Sequence, residues 1–246
     1  MGKSNQSYRR YIMLKLAKPN WNLSESVQLC SLKLEHNRLG KISANVRKVE
    51  GKDLRFKSEI FNSTNELIGC DEFSMVDSFK KAMTDLKIKS DEKYRDVGIG
   101  KLLRLVSIME MLKNQIKTMD LYSLRTAIYF HSKFGFEPKI SNALERDATL
   151  ISIAANSKNI FNDFYDNAKR YSYNISAENC DLAEMREKVN KLTSDFIHKV
   201  LAQGKDEYKN YPFEWGIDMQ LTDKKIGEMR DFYNQSYRDS GIDYKV

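Results

Sequence analysis

Leu86-Lys-Ile-Lys-Ser-Asp-Glu-Lys-Tyr-Arg-Asp-Val-Gly-Ile-Gly-Lys101 is the stretch on which the reading of this chain turns. Leu86, Ile88 and Ser90 alternate with Lys87 and Lys89, a period of two that suits a strand. Arg95-Asp96-Val97-Gly98-Ile99-Gly100-Lys101 then leads into a dense apolar run. A glycine-punctuated turn that feeds a helix presents unpaired backbone N–H groups at the positive end of the helix dipole. That makes an anion site suited to phosphates. Gly98 and Gly100 matter because a phosphate approaches a backbone closely only where no Cβ intervenes. The same pattern also serves as an ordinary helix start, so the rest of the chain has to support the phosphate reading.

After Gly100 the helix is apolar on most sides, from Leu102 through Met111 to Ile116, and is expected to lie buried against a sheet. Thr118–Leu124 reads as the next strand and residues 125–134 as the next helix. There stands a further motif, Ala127-Ile-Tyr-Phe-His-Ser-Lys-Phe-Gly-Phe-Glu-Pro138. Together the two motifs resemble those of the GNAT N-acetyltransferase superfamily. The glycine motif is similar to that family's pyrophosphate loop for acetyl-coenzyme A. The 127–138 motif is similar to its A-x-x-F-Y-x-K-x-G-F-E segment, a helix running into a strand. The resemblance covers 86–138 and, more loosely, 27–155.

The resemblance implies an α/β (α+β) fold: a mixed, mostly antiparallel sheet flanked by helices, here with a C-terminal helical extension. It implies that the strand at 118–124 splays from the strand at 86–90 and that the gap admits a pantetheine arm. Acetyl-coenzyme A is the expected cosubstrate, with no metal. Its expected holders are Ile88 and Ser90 on the strand and Arg95, Asp96, Val97, Gly98, Ile99, Gly100 and Lys101 in the loop. The implied reaction is acyl transfer to an amine, either a protein lysine or N-terminus or a small-molecule amine.

The chain also departs from the family. Four residues before Gly135, where the family carries a tyrosine that protonates the departing thiolate, stands His131. An unperturbed imidazole pKa of ~6.5 suits that role. Tyr129 is the fallback, although two residues along a helix turns it to another face. The family's asparagine three residues before Ala127 is Leu124 here. Glu59, Glu66, Glu72 and Asp85 precede the motif, and Glu72 is taken as the general base. Each of these residues also has a plain structural role to set against the catalytic one. The loss of the usual tyrosine and asparagine leaves another function open, a coenzyme A-binding module with little or no catalysis.

Working outward, residues 1–26 are polar and irregular. Val27–His36, Lys41–Val49 and Leu54–Phe61 alternate like strands of an antiparallel meander. The family's usual opening, a strand and two helices, is short or replaced. Ala148–Ala155 reads as the closing strand. Residues 1–156 are therefore taken as the acyltransferase domain and 157–246 as a helical appendage, with helices at 160–168, 177–203 and from Thr222 on.

The net charge of +7 is uneven: residues 1–156 carry 27 Lys/Arg against 18 Asp/Glu. A polyanionic cofactor accounts for part of that excess, and no basic run interleaved with aromatics points to nucleic acid. Cys30, Cys70 and Cys180 make neither a disulfide framework nor a zinc motif, which fits a reducing compartment. No run is long enough for a membrane helix, and no signal-peptide core is present. The expectation is a cytoplasmic protein, with a homodimer compatible with the sequence.

Overall fold

A computed structural model describes residues 26–49, 55–77, 82–90, 94, 97–176, 181–204 and 206–246. The predicted meander is present as β1 (Ser26–His36), β2 (Gly40–Val49) and β3 (Arg55–Phe61), and β4 (Leu67–Asp77) extends it, each strand antiparallel to the last. β5 (Ala82–Ser90) follows, then α1 (Ile99–Lys113) and β6 (Thr118–Ser123). Among the described residues one eight-stranded sheet forms, in the order β1-β2-β3-β4-β5-β6-β8-β7. Its parallel neighbours are β5 and β6, joined through α1. The sheet is thus mixed, mostly antiparallel and flanked by helices.

The alternation along the meander sorts its side chains into two faces. Ala44, Val46, Ser58 and Ile60 share one face, and Arg47, Lys57 and Glu59 share the other. The first set is buried and apolar apart from Ser58. On the opposite face Lys57 and Glu59 are buried as an ion pair with Nζ and Oε1 2.7 Å apart. A buried charge persists only where an opposite charge sits beside it.

α1 is buried nearly all round because it has partners on both sides. It packs on β3, β4 and β5, and on its outer side meets α7 (Arg230–Asp239). There the Tyr237 hydroxyl donates to the Leu105 carbonyl at 3.0 Å. α2 (Ala127–Ser132) turns the chain into the short strand β7 (Glu137–Pro138). Gly135 makes that turn at φ 79°, a conformation that L side chains rarely adopt.

The closing strand is not where the sequence suggested. Residues 148–155 lie inside α3 (Ala143–Ser157). The Asn142 side chain caps that helix by accepting from the Glu145 amide at 2.8 Å. Leu150, Ile153 and Ala154 are buried at helical spacing. α4 (Asn162–Ser176) and α5 (Leu182–Leu201) pack with α3 into a helical layer. The cap of α5 is Asp181, whose carboxylate accepts from the Ala183 and Glu184 amides. The sheet is completed only by β8 (Ile217–Thr222), which inserts between β6 and β7. α6 (Asp223–Glu228) starts at Thr222, whose hydroxyl accepts from the Lys225 amide at 3.0 Å. The expected boundary at 156/157 is therefore crossed by the sheet itself, and the helices at 143–201 form an insertion between two of its strands. No helix among the described residues is long and apolar enough to cross a membrane.

Candidate functional site

The site begins with a defect in a ladder. β5 and β6 pair at Ala82–Thr118, Met83–Met119 and Thr84–Asp120, and no further. Beyond that point β5 keeps only β4 among the described residues, with Ile88 opposite Asp71 and Ser90 opposite Gly69. β6 keeps only β8, as far as Ser123 opposite Ile217. The cause lies in the β4–β5 register. Glu72 faces Lys87 and Phe73 faces Asp85, so Leu86 is an extra residue on β5. A bulge of this kind bends its strand and raises the local twist. It falls two residues after the last β5–β6 pair, and the strands part there. The ladder thus opens into a gap toward the carboxyl ends of two parallel strands, where open sheets present ligands with a binding crevice.

α1 begins at the same end. Gly98 is its N-cap at φ 96°, a left-handed conformation suited to glycine. Gly98 has no side chain with which to cap the helix, and no acidic residue stands in its first turn. The amides of Ile99, Gly100 and Lys101 precede the first backbone bond, from the Leu102 amide to the Gly98 carbonyl at 3.0 Å. A methyl group added at Gly100 would meet the Phe130 ring of α2 at 3.6 Å, so α2 covers the helix start on that side.

The loop between β5 and α1 is tied down at Tyr94. Its phenol accepts from Asn62 Nδ2 at 3.2 Å and donates to Glu66 Oε2 at 3.3 Å, both in the β3–β4 turn. Asn62 in turn holds that turn through the amides of Thr64 and Glu66. Arg95 and Asp96, expected to help hold the cofactor, lie outside the described residues.

Ser123 closes the far lip of the gap. It shares a face with Met119 and Leu121, and the Met119 sulfur lies within 3.5 Å of Arg104 on α1. The row therefore faces α1. Ser123 is 1% exposed and its hydroxyl has no hydrogen-bond partner among the described residues. A buried polar atom left unsatisfied at the edge of a gap is what a polar ligand would engage.

The two expected proton donors are held elsewhere. His131 is buried in α2 with Nδ1 3.4 Å from Arg104 Nη2. A guanidinium only donates, so Nδ1 accepts and the proton sits on Nε2. Burial, followed by the Arg104 charge, holds the imidazole well below its ordinary pKa. It is therefore neutral at pH 7 and cannot act there as the acid expected of it. Arg104 itself is fully buried, its guanidinium 5.1 Å from the Phe136 ring centre. Tyr129 is also fully buried, and its hydroxyl donates to the Tyr211 carbonyl at 2.6 Å. Burial raises its pKa further above 10. Tyr208 and Phe213 stack around it, so the residues that follow the helical insertion wrap α2. Glu72 is the catalytic candidate that the register brings beside the bulge, facing Lys57 and Lys87 across the strands.

His131 carries a testable consequence. The unfolded chain takes up a proton on this residue near pH 6.5 and the folded one does not. Stability is therefore lost as pH falls below that value, by at most about 1.4 kcal/mol per unit. The urea midpoint of the wild type is expected to drop between about pH 7.5 and about pH 5.5 more steeply than that of His131→Gln. Equal slopes would mean that His131 is protonated in the folded protein.

Three solved structures stand for the likeness to known folds. An acetyltransferase of the GNAT family from Staphylococcus aureus Mu50 is 24% identical, with 34% of this chain and 54% of that one covered and a TM-score of 0.32. The PaiA N-acetyltransferase from Thermoplasma acidophilum, in complex with coenzyme A, is 24% identical, with 36% and 55% covered and a TM-score of 0.33. A nourseothricin acetyltransferase is 16% identical, with 47% and 74% covered and a TM-score of 0.33.

The chain is similar to GNAT-family N-acetyltransferases over part of its length.

It spans about half the length of the first two structures. Similarity at this level speaks neither to activity nor to ligand. No protein-family model matches the sequence, and no curated protein matches it significantly.

Proposed function

We propose that this chain is an acyltransferase that moves an acetyl group from acetyl-coenzyme A to an amine. The observation that carries the reading is the gap between β5 and β6 opening beside the uncapped start of α1. The two features match the two ends of a coenzyme A thioester. The pyrophosphate suits the first-turn amides of residues 99–101, which bear partial positive charge. The pantetheine arm, a chain with its own amides, suits the β5 edge around Ile88 and Ser90, which has no strand partner among the described residues. The lack of a side chain at Gly98, the N-cap, and the orphan hydroxyl of Ser123 fit such a ligand.

Coenzyme A would supply an activated acyl group. In the transfer, the amine nitrogen attacks the thioester carbonyl carbon, the C–S bond breaks and the thiolate leaves. A β5 backbone N–H directed into the gap would polarise that carbonyl. Glu72, one strand away, is the proposed acceptor for the proton shed by the amine. With His131 neutral and Tyr129 committed to Tyr211, the thiolate takes its proton from water. The same two residues favour another reading, a coenzyme A-binding protein of low activity.

The test is calorimetric titration of the full chain with acetyl-coenzyme A, followed by thiol release in the presence of protein and small-molecule amines. Micromolar binding with amine-dependent thiol release is expected. Binding without release from any amine would favour the low-activity reading. No binding would sink both.

A further inference from the structure

We propose that His36 is a further phosphate donor at the start of α1; the inference rests on the coenzyme A reading above. His36 ends β1, far in sequence from the glycine motif. Its Nδ1 accepts from the backbone amides of Arg38 and Leu39, both at 3.2 Å. A neutral imidazole that accepts on Nδ1 carries its proton on Nε2. The β1–β2 turn therefore fixes both the ring's orientation and its tautomer. Nε2 lies 3.7 Å from the point where a side chain at Gly98 would begin. Nε2 has no acceptor among the described residues.

Among the described residues the position is thus defined by donors alone. The amides of Ile99, Gly100 and Lys101 and the His36 Nε2–H gather at one end of α1, and no carboxylate or side-chain cap among the described residues answers them. A cation or a plain hydrocarbon gains nothing there. An anion with several acceptor oxygens satisfies all of them, and the chemistry is that of a phosphate or pyrophosphate. Gly98 then serves the ligand as well as the turn. A side chain there would begin 3.7 Å from the imidazole, at the residue that opens the helix. Ser123, at the far lip, would serve the pantetheine end, so the two ends of the ligand are read by different strands.

The test separates the two jobs of the ring. His36→Asn keeps an acceptor near the Nδ1 position for the turn but is too short to reach Gly98. His36→Gln extends a donor toward the Nε2 position. Each full-length variant is titrated with coenzyme A and with pantetheine, which lacks phosphate, and its melting temperature is recorded. His36→Asn is expected to weaken coenzyme A about tenfold or more, with pantetheine and melting temperature unchanged. His36→Gln is expected to recover part of that loss. Wild-type coenzyme A affinity in His36→Asn overturns the proposal. Equal losses for coenzyme A and pantetheine overturn it as well, since they indicate a structural role. If the wild type itself binds no coenzyme A, the functional reading fails before any variant is made, and the inference falls with it.

Discussion

A chain cut after Asn156 is expected to yield no cooperatively folding domain. The sequence alone suggests the opposite, because an apparent closing strand ends near that residue. In the structure, the cut removes β8, which pairs with β6 along its whole length and also with β7. Ile217, Met219 and Leu221 are fully buried or nearly so. Each such side chain contributes about 1.5–3 kcal/mol. The cut also removes Tyr233 and Tyr237, whose hydroxyls donate to the carbonyls of Phe134 and Leu105. The summed loss rivals the whole stability of a typical domain, about 5–15 kcal/mol. It would also bare the β6 edge, and an unpaired strand edge promotes aggregation. Denaturant titration followed by far-UV circular dichroism checks this. A sharp, reversible transition in residues 1–156 would show that β8 is dispensable and that the C-terminal part is a separate unit.

Gly100→Glu is expected to abolish coenzyme A binding while leaving the fold intact or firmer. A methyl group at this position meets Phe130 at 3.6 Å, an ordinary contact, and the backbone there is helical. Replacing glycine in a helix lowers the backbone entropy cost by about 0.5–1 kcal/mol. A carboxylate in the first turn adds about 0.3–1 kcal/mol through the helix dipole. The melting temperature should hold or rise. The same carboxylate, however, occupies the first-turn amides and repels a phosphate. A drop in affinity of about a hundredfold or more follows if those amides are the binding site. Calorimetry paired with a thermal melt reads both signs. A variant that binds like the wild type would remove the phosphate from α1. A variant that binds weakly because it melts early would implicate Phe130 packing instead.

Much of this architecture is legible in local sequence. Alternation announces β1 to β3, and the glycines at 98 and 100 mark the start of α1. The error at 148–155 has a physical cause. An apolar run of that length fits a buried strand or a helix face, and only the flanks decide. The flank is readable: Asn142 followed by Glu145 is a helix-start signal. The true closing strand, Ile217-Asp-Met-Gln-Leu-Thr222, alternates without a break. It is easily passed over because its partners are remote, and pairing across so long an interval leaves no local trace. The site divides in the same way. Its glycines are visible in sequence, whereas His36 and Ser123 are not, because each matters only through a neighbour brought in by the sheet. Tyr129 looks like chemistry until Tyr208, Tyr211 and Phe213 are seen to hold it, and His131 until Arg104 is seen beside it. Arg104 is the available hint, a lone arginine in an otherwise apolar stretch of helix.

The late arrival of β8 has a consequence for how the protein is made. Thr118 meets Thr222 across the ladder, so the strand that braces β6 beyond the bulge is synthesised last. Contacts this distant in sequence fold slowly, because loop closure must precede any reward. While the chain is still on the ribosome, the meander and α1 can condense, but one wall of the gap has no support. The proposed phosphate end of the site can therefore exist before the proposed pantetheine end does. Once closed, the loop is insensitive to its own length: doubling the insertion would cost only about 0.6 kcal/mol of closure entropy. Evolution is thus free to enlarge or replace the helices between β7 and β8 without disturbing the cleft, provided the final strand still comes home.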